Sequence, residues 1–105
     1  VRAHILSWMD VNKDMDKMIR QFLEKCGIAL PTNPIFETVL MQTNEIQPDM
    51  FVEKYRYLAA EPNDALTTMV SIDRGPDQII CYAIQLEEDI VTIGLLVNGI
   101  PTRKE

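Results

Sequence analysis

Oxygen-bearing side chains alternate along the segment Asp10–Asp16, whose residues run Asp-Val-Asn-Lys-Asp-Met-Asp. Alternating oxygen ligands of this kind open the calcium loop of an EF-hand. The rest of the segment departs from that pattern, with Met15 where glycine makes the sharp turn and Gln21 where a bidentate carboxylate is needed. Lys17 also occupies a position that is usually apolar. The favoured interpretation is a group of acidic residues near a helix N-terminus, where the helix dipole stabilises them. A cation site at Asp10–Asp16 is the alternative.

Residues that could support nucleophilic catalysis are few. His4 is the only histidine, and a Cys–His pair would have to join it to Cys26 or Cys81, with no local signature for such a pair. Ser7 and Ser71 are the only serines, and neither lies in a nucleophile-elbow sequence. The favoured interpretation is a surface histidine and two structural thiols. The sequence therefore predicts no catalytic residue.

Carboxylates cluster at predicted turns, as at Asp73 with Asp77 and at Glu87, Glu88 and Asp89. General acid–base catalysis needs a carboxyl group in a cleft that shifts its pKa, and solvated turns do not supply one. The four glycines are isolated from one another, which excludes a glycine-rich phosphate loop. Two distant cysteines and one histidine do not make a zinc motif. We therefore expect neither a cofactor nor a metal.

Composition indicates one soluble, acidic domain spanning residues 1–105. The chain has 16 acidic and 10 basic residues, a net charge of −6, and 47% hydrophobic residues. An acidic balance without a basic cluster opposes binding to nucleic acid or to an anionic membrane surface. No apolar run reaches the roughly 18 residues of a membrane span. Because the sequence begins with Val1, we expect either a processed product or a domain excised from a longer chain.

Two cysteines are too few for a disulfide framework. We expect buried free thiols at Cys26 and Cys81, and therefore a reducing, cytoplasmic location, with a single disulfide as the alternative.

An apolar stripe at spacings of three and four predicts an amphipathic helix that ends at Cys26. Gly27 follows where a left-handed helix cap is wanted, and Pro31 prevents the helix from restarting. The stripe consists of Val11, Met15, Met18, Ile19, Phe22, Leu23 and Cys26.

The start of this helix has two interpretations. Either Asp10 or Asn12 caps it, or Ile5, Trp8 and Met9 continue the stripe back to about residue 3. The longer helix, with a break near Asp10, is favoured.

Beyond residue 35 the apolar period changes to two, which predicts strands. Short connections with turn residues imply an antiparallel meander. Asn98-Gly99 is a strong two-residue turn signal close to the end of the sequence, and either a further short strand or the end of an excised domain would explain it. The predicted fold class is therefore α+β, with an N-terminal amphipathic helix packed on an antiparallel, mostly meander β-sheet of four to five strands. One helix cannot cover both faces of such a sheet. The second face must be solvated, covered by the N-terminal segment or bound to another molecule. The predicted strands are 36–42, 50–58, 66–73, 79–87 and 90–97.

Two surfaces are the candidates for partner binding. One is the methionine-rich helix beside Trp8, because methionine is common at adaptable binding surfaces, although packing in the core is the favoured interpretation of these methionines. The other is an aromatic face of the predicted strand 50–58, since aromatic residues beside arginine are typical of interface hot spots. The predicted partner-binding residues are Phe51, Tyr55, Arg56, Tyr57, Trp8 and Met15.

The leading hypothesis for function is a non-enzymatic protein–protein interaction module, such as an adaptor, a chaperone-like binder or an inhibitor. It would act through the aromatic strand face, an edge strand or the methionine-rich helix, with another protein or a second copy of the chain as partner. One alternative is a small-ligand-binding protein or enzyme with a pocket between helix and sheet. Another is a self-assembling structural domain.

Overall fold

The computed structural model describes residues 15–87 and 90–105, which form a helix, a five-stranded antiparallel sheet and a layer of short 3-10 helices. The helix, α1, covers residues 15–25. The strands follow the order β1-β2-β3-β4-β5 across the sheet, so every strand pairs with its neighbour in sequence. This arrangement confirms the predicted α+β class and the meander. The strands are β1 Phe36–Gln42, β2 Asp64–Arg74, β3 Asp77–Glu87, β4 Ile90–Val97 and β5 Ile100–Lys104.

The C-terminus of α1 has the cap that the sequence predicts. Gly27 adopts a φ of +71°, a left-handed conformation that glycine reaches without steric cost. The Gly27 N–H donates to the Glu24 carbonyl, and the Ile28 N–H donates to the Leu23 carbonyl. These two bonds form a Schellman motif, which satisfies carbonyls at the helix end. The predictions for the helix start, at Asp10, Asn12 or residue 3, lie outside the described residues.

Hairpin turns set the register of the sheet. Asn98 and Gly99 have φ values of 52° and 82°, the pair of positive angles that a two-residue hairpin turn requires. The Asn98 side chain accepts a hydrogen bond from the Gln78 N–H at 3.0 Å and donates one to Asp77 at 3.1 Å. The turn leads into β5, which confirms the predicted further short strand. The predicted turn at Glu88-Asp89 lies outside the described residues.

The prediction of a strand at 50–58 is wrong. Residues 43–60, called the 3-10 segment below, instead contain three 3-10 helices: Thr43–Glu45, Pro48–Met50 and Glu53–Ala60. Pro48 fits the first turn of its helix, because proline has no N–H to place there. The aromatic residues alternate as in a strand, but the apolar side chains that pack inward recur at helical spacings of three and four. These inward side chains are Phe51, Tyr55, Leu58 and Ala59.

Two hydrophobic cores lie on opposite faces of the sheet. The first core, between α1 and the sheet, is built around Met15, Ile19, Phe22, Leu23, Val70, Ile72, Ile79, Cys81, Ala83, Ile93 and Leu95. The second core, between the 3-10 segment and the other face, is built around Ile46, Met50, Phe51, Ala65, Tyr82, Ile84, Leu86 and Leu96. In the described part of the chain, the second face is therefore covered by the 3-10 segment, an option that the sequence did not suggest.

Tyr82 anchors the second core. Its side chain is fully buried, and its hydroxyl donates a hydrogen bond to the backbone carbonyl of Met50 in the 3-10 segment. Burial, with a smaller effect from Cys81, raises the pKa of Tyr82, so the phenol keeps the proton that it donates. Gly94 lies opposite Tyr82 on β4 and leaves room for the ring. A Cβ atom at residue 94 would lie 2.5 Å from the Tyr82 hydroxyl oxygen and 2.6 Å from the Arg103 carbonyl oxygen.

We expect Gly94→Ala to lower the free energy of unfolding by about 1–3 kcal/mol, because the new methyl group overpacks this site. Urea denaturation followed by circular dichroism measures the change. In a Tyr82→Leu background, Gly94→Ala should lower the free energy of unfolding by less, because two of the three atoms closest to the added Cβ belong to the tyrosine. An equal cost in both backgrounds would show that the ring is not the obstacle.

Candidate functional site

Exposed apolar side chains concentrate at the edge strand β1. Ile35, immediately before the strand, is 76% exposed, Val39 is 44% exposed and Leu40 is 54% exposed. The other large hydrophobic side chains with high exposure in the described ranges are Tyr57 and Ile100, which lie elsewhere. Val39 and Leu40 are consecutive, so they project from opposite faces of the sheet. A segment lying alongside β1 could therefore contact an apolar side chain on each face.

The backbone of β1 offers hydrogen-bonding groups to a further strand. At its C-terminal end, the Thr43 N–H donates to the Asn63 carbonyl at 2.7 Å, which continues the β1–β2 register. Because hydrogen-bonded residues alternate in an antiparallel pair, odd-numbered residues of β1 bond to β2. Even-numbered residues such as Phe36, Leu40 and Gln42 then direct their N–H and carbonyl groups outward. In the described ranges, no strand pairs with this outer side.

β1 is fixed at both ends. Phe36 packs against the first core, and the guanidinium carbon of Arg20 lies 5.2 Å from the centre of its ring. Met41 packs against the second core on the opposite face. At the Gln42 end, the side-chain amide donates to Asp64 at 2.6 Å. The strand is therefore a rigid edge whose middle, around Val39, faces solvent.

The other edge strand, β5, is protected against pairing. It has five residues, it contains Pro101, and a bulge interrupts its register with β4 between Leu95 and Leu96. The Lys104 ammonium donates to the Asp49 carbonyl at 2.8 Å, which ties the strand to the 3-10 segment. Short length, proline, bulges and lysine are features by which proteins prevent edge-to-edge association. β1 contains no proline, glycine, lysine or bulge.

A groove of about 370 Å³ adjoins the start of β1 on the face that the 3-10 segment covers elsewhere. Its lining includes the apolar residues Pro34, Ile35, Met69 and Ile80 and the acidic residue Glu37. The groove borders the exposed edge, so a side chain from a segment alongside β1 could enter it.

The structure separates the six residues that the sequence suggested for partner binding. Phe51 and Met15 are fully buried, each in a different core, so neither is accessible to a partner in this fold. Tyr55 is half-buried against the second core, with the Lys54 ammonium 5.0 Å from its ring centre. The aromatic strand face does not exist, because these residues belong to the 3-10 segment.

Arg56 and Tyr57 are exposed, and Trp8 lies outside the described residues. Tyr57 is 68% exposed, and the Arg56 guanidinium lies 4.0 Å from the Asp49 carboxylate. The exposed Tyr57 ring and the solvated Arg56–Asp49 ion pair offer a partner less apolar surface than the exposed side chains at β1 do.

Sequence reasoning did not name Ile35, Val39 or Leu40 as site residues. A signal was present, because residues 36–42 carry a single charge, at Glu37, and contain no lysine, proline or glycine. That signal becomes meaningful only when the strand is known to lie at an edge.

Both cysteines are free thiols. Cys81 is fully buried in the first core, while Cys26 is half-buried at its margin. Burial, with a smaller contribution from Cys26, raises the pKa of Cys81 to about 12. A thiol with so high a pKa is protonated at neutral pH and is a poor nucleophile or metal ligand.

The candidate cation site is largely outside the described residues, which include only Met15 and Asp16 of the segment. Burial raises the pKa of Asp16, and the nearby Arg20 partly offsets that rise. Within residues 15–87 and 90–105, no three histidine, cysteine, aspartate or glutamate side chains are grouped as a metal ion would require.

The interface between α1 and the sheet is filled by the first core. At its margin, Met18, Phe22 and Ile93 contribute to a cavity of about 120 Å³. This volume is below the roughly 300 Å³ at which small-molecule sites begin.

No family model, curated protein or solved structure matches this chain. Among the helices of the described ranges, none has the length and apolar character to cross a bilayer.

We expect Cys81 to resist thiol reagents while the protein is folded. A Cys26→Ala variant, which leaves Cys81 alone, should react with Ellman's reagent at pH 8 at least about 100-fold more slowly than in denaturant, because the buried thiol is protonated and inaccessible. The matched Cys81→Ala variant, which keeps half-buried Cys26, should react faster than Cys26→Ala under native conditions. Rapid reaction of Cys81 in the folded state would contradict its placement.

Tyr55 and Tyr57 should differ in their effect on stability although they lie two residues apart. Tyr57→Ser should change the free energy of unfolding by less than about 0.5 kcal/mol, because its ring is exposed. Tyr55→Ser should lower it by about 1–3 kcal/mol, because its ring packs on the second core. Equal effects in thermal or urea unfolding would indicate that the two rings have similar environments, as on a strand face.

Proposed function

We propose that the protein is a non-enzymatic protein-interaction module that binds an extended polypeptide segment along the outer edge of β1. The observation that carries this proposal is the contrast between the two edges of the sheet. β5 is protected by Pro101, a bulge and the tethered Lys104, whereas β1 combines outward backbone groups with exposed Val39 and Leu40. Soluble proteins normally protect such edges, so an unprotected one marks a binding surface.

Binding would proceed by strand addition. The incoming backbone exchanges hydrogen bonds with outward groups of β1, such as those of Leu40 and Gln42, which supplies affinity independent of sequence. Side chains of the incoming segment then alternate between the two faces, where they meet Leu40 on one and Val39 on the other. The groove beside Ile35 and Glu37 can take one side chain and supplies selectivity.

The platform for this binding is already ordered. β1 is paired with β2 over seven residues and is anchored in the two cores by Phe36 and Met41. A preformed site limits the conformational entropy lost on binding to that of the incoming segment. An adaptor, a chaperone-like binder or an inhibitor could each use such an edge. The free thiols of Cys26 and Cys81 suit work in a reducing compartment such as the cytoplasm.

Small-molecule binding is the second candidate, and the groove beside β1 is the observation that favours it. Its volume of about 370 Å³ is sufficient for a small ligand. The polar groups that converge there are few, with the Glu37 carboxylate and the Ser71 hydroxyl as examples. The interaction role is better supported, because it also accounts for the exposed Val39 and Leu40.

Val39→Lys should weaken partner binding strongly while the fold is retained. Lysine at the centre of β1 places a charge where an apolar contact is expected, and its long stem can reach water without disturbing the sheet. Wild-type and variant proteins are immobilised and used to capture proteins from lysate of the source cell, with quantification by mass spectrometry. We expect specific partners to fall at least about tenfold with Val39→Lys, a loss equivalent to about 1.4 kcal/mol.

Ile100→Lys is the matched control. It replaces an exposed apolar residue by the same charged one, but on the protected edge. This variant should retain the partners that the wild-type protein captures. Equal capture by all three proteins would contradict the assignment of β1 as the binding edge, provided that circular dichroism shows each of them to be folded.

A further inference from the structure

We propose that the segment bound at β1 is β1 of a second copy, paired antiparallel about a two-fold axis through Val39. This inference rests on the proposed function and names its partner. The chain itself contains an extended segment that matches the chemistry of the edge: seven residues with one charge, apolar side chains on both faces and no proline or glycine. A two-fold interface uses the same surface of both copies, so one exposed edge is sufficient.

The pairing places compatible residues opposite each other. With Val39 opposite Val39 of the second copy, Phe36 meets Gln42, Glu37 meets Met41 and Thr38 meets Leu40. The outward backbone groups of Phe36 and Gln42 lie opposite each other in this register, at both ends of the strand pair, so they can exchange hydrogen bonds. Val39 then forms a cross-strand apolar pair with Val39 of the second copy, and pairs of this kind stabilise antiparallel sheets.

Charge on β1 also permits this pairing. Glu37 is the only ionisable residue in the strand, and the two-fold register places it opposite a neutral methionine instead of the second Glu37. Like charges directly opposite each other would have been destabilising.

Pairing of this kind closes at two copies. It joins the two five-stranded sheets into one and leaves a β5 strand at each outer edge. Pro101 and the bulge between Leu95 and Leu96 prevent those edges from adding further copies. The product is a dimer and not a fibre.

The net charge predicts how salt affects the dimer. Each copy carries a charge of −6, so two copies repel each other, and salt screens that repulsion. Dimerisation should therefore strengthen as salt rises from about 0.05 to about 0.5 M. Binding of a basic segment to the same edge would weaken over this range, so the direction of the salt effect distinguishes the two occupants.

Analytical ultracentrifugation of the 105-residue chain tests the proposal. Because a single strand pair is at the small end of specific interfaces, the concentration should run from about 10 µM to about 1 mM. We expect the mass to rise from the 12.0 kDa of one chain toward twice that value. Val39→Lys should stay monomeric, because two ammonium groups would meet at the two-fold axis, even though it lowers the net repulsion. Ile100→Lys, with the same charge change, should dimerise like the wild type.

A mixture of charge variants tests the register. Val39→Lys and Val39→Glu should each be monomeric, and an equimolar mixture should recover the dimer, because lysine then faces glutamate at the axis. Circular dichroism confirms that each variant is folded. Failure of the mixture to recover, a wild-type chain that stays monomeric at about 1 mM, or a dimer that Ile100→Lys disrupts and Val39→Lys does not would each overturn the inference.

Failure of the dimer can be separated from failure of the proposed function. A monomeric wild type that captures other proteins through β1, with capture lost in Val39→Lys, would refute self-pairing and support the interaction module. A monomeric wild type whose capture is unaffected by Val39→Lys would refute both.

Discussion

Both faces of the central strands are apolar, and the need to cover both is the constraint on which the rest of the structure depends. Cys81 and Tyr82 are consecutive in β3, and both are fully buried, one under α1 and the other under the 3-10 segment. The helix α1 covers one face, and the chain between β1 and β2 supplies the cover of the other. The hydroxyl of Tyr82, bonded to the Met50 carbonyl, links that cover to the sheet, and Gly94 makes room for the ring.

Local signals explain which elements could be predicted from the sequence. The end of α1 and the last hairpin depend on Gly27 and Asn98-Gly99, residues whose positive φ angles are set by chemistry within a few positions. The segment 50–58 was mispredicted because Phe51 and Tyr55 fit both a strand pattern and a helical spacing. Whether this segment becomes a strand or a 3-10 helix depends on its packing against the second face of the sheet, and that face is assembled from residues distant in sequence. Periodicity cannot carry that information.

The candidate site was hidden from sequence reasoning for a related reason. Aromatic residues are typical of interface hot spots, and for that reason Phe51 and Tyr55 were candidates for partner binding. In the structure, however, Phe51 is fully buried in the second core and Tyr55 is half-buried against it. Val39 and Leu40 are unremarkable in sequence, since apolar residues in strands are normally buried. They become informative once the strand order places β1 at an edge with Phe36 anchored beneath α1. Strand order depends on long-range pairing, so β1 could be proposed as a binding edge only after the fold was known.

The antiparallel meander limits how many segments the proposed binding edge, β1, can hold. Residues bonded to β2 alternate with residues directed outward, so the outer side of β1 can accept one extended segment at a time. A second copy and another polypeptide would need the same backbone groups around Leu40 and the same apolar contact at Val39. The two proposed occupants would therefore exclude each other, and a partner that binds at β1 would compete with self-pairing. Because the chain's net charge of −6 opposes the approach of a second copy but not of a neutral or basic segment, that competition is weighted by electrostatics toward the partner.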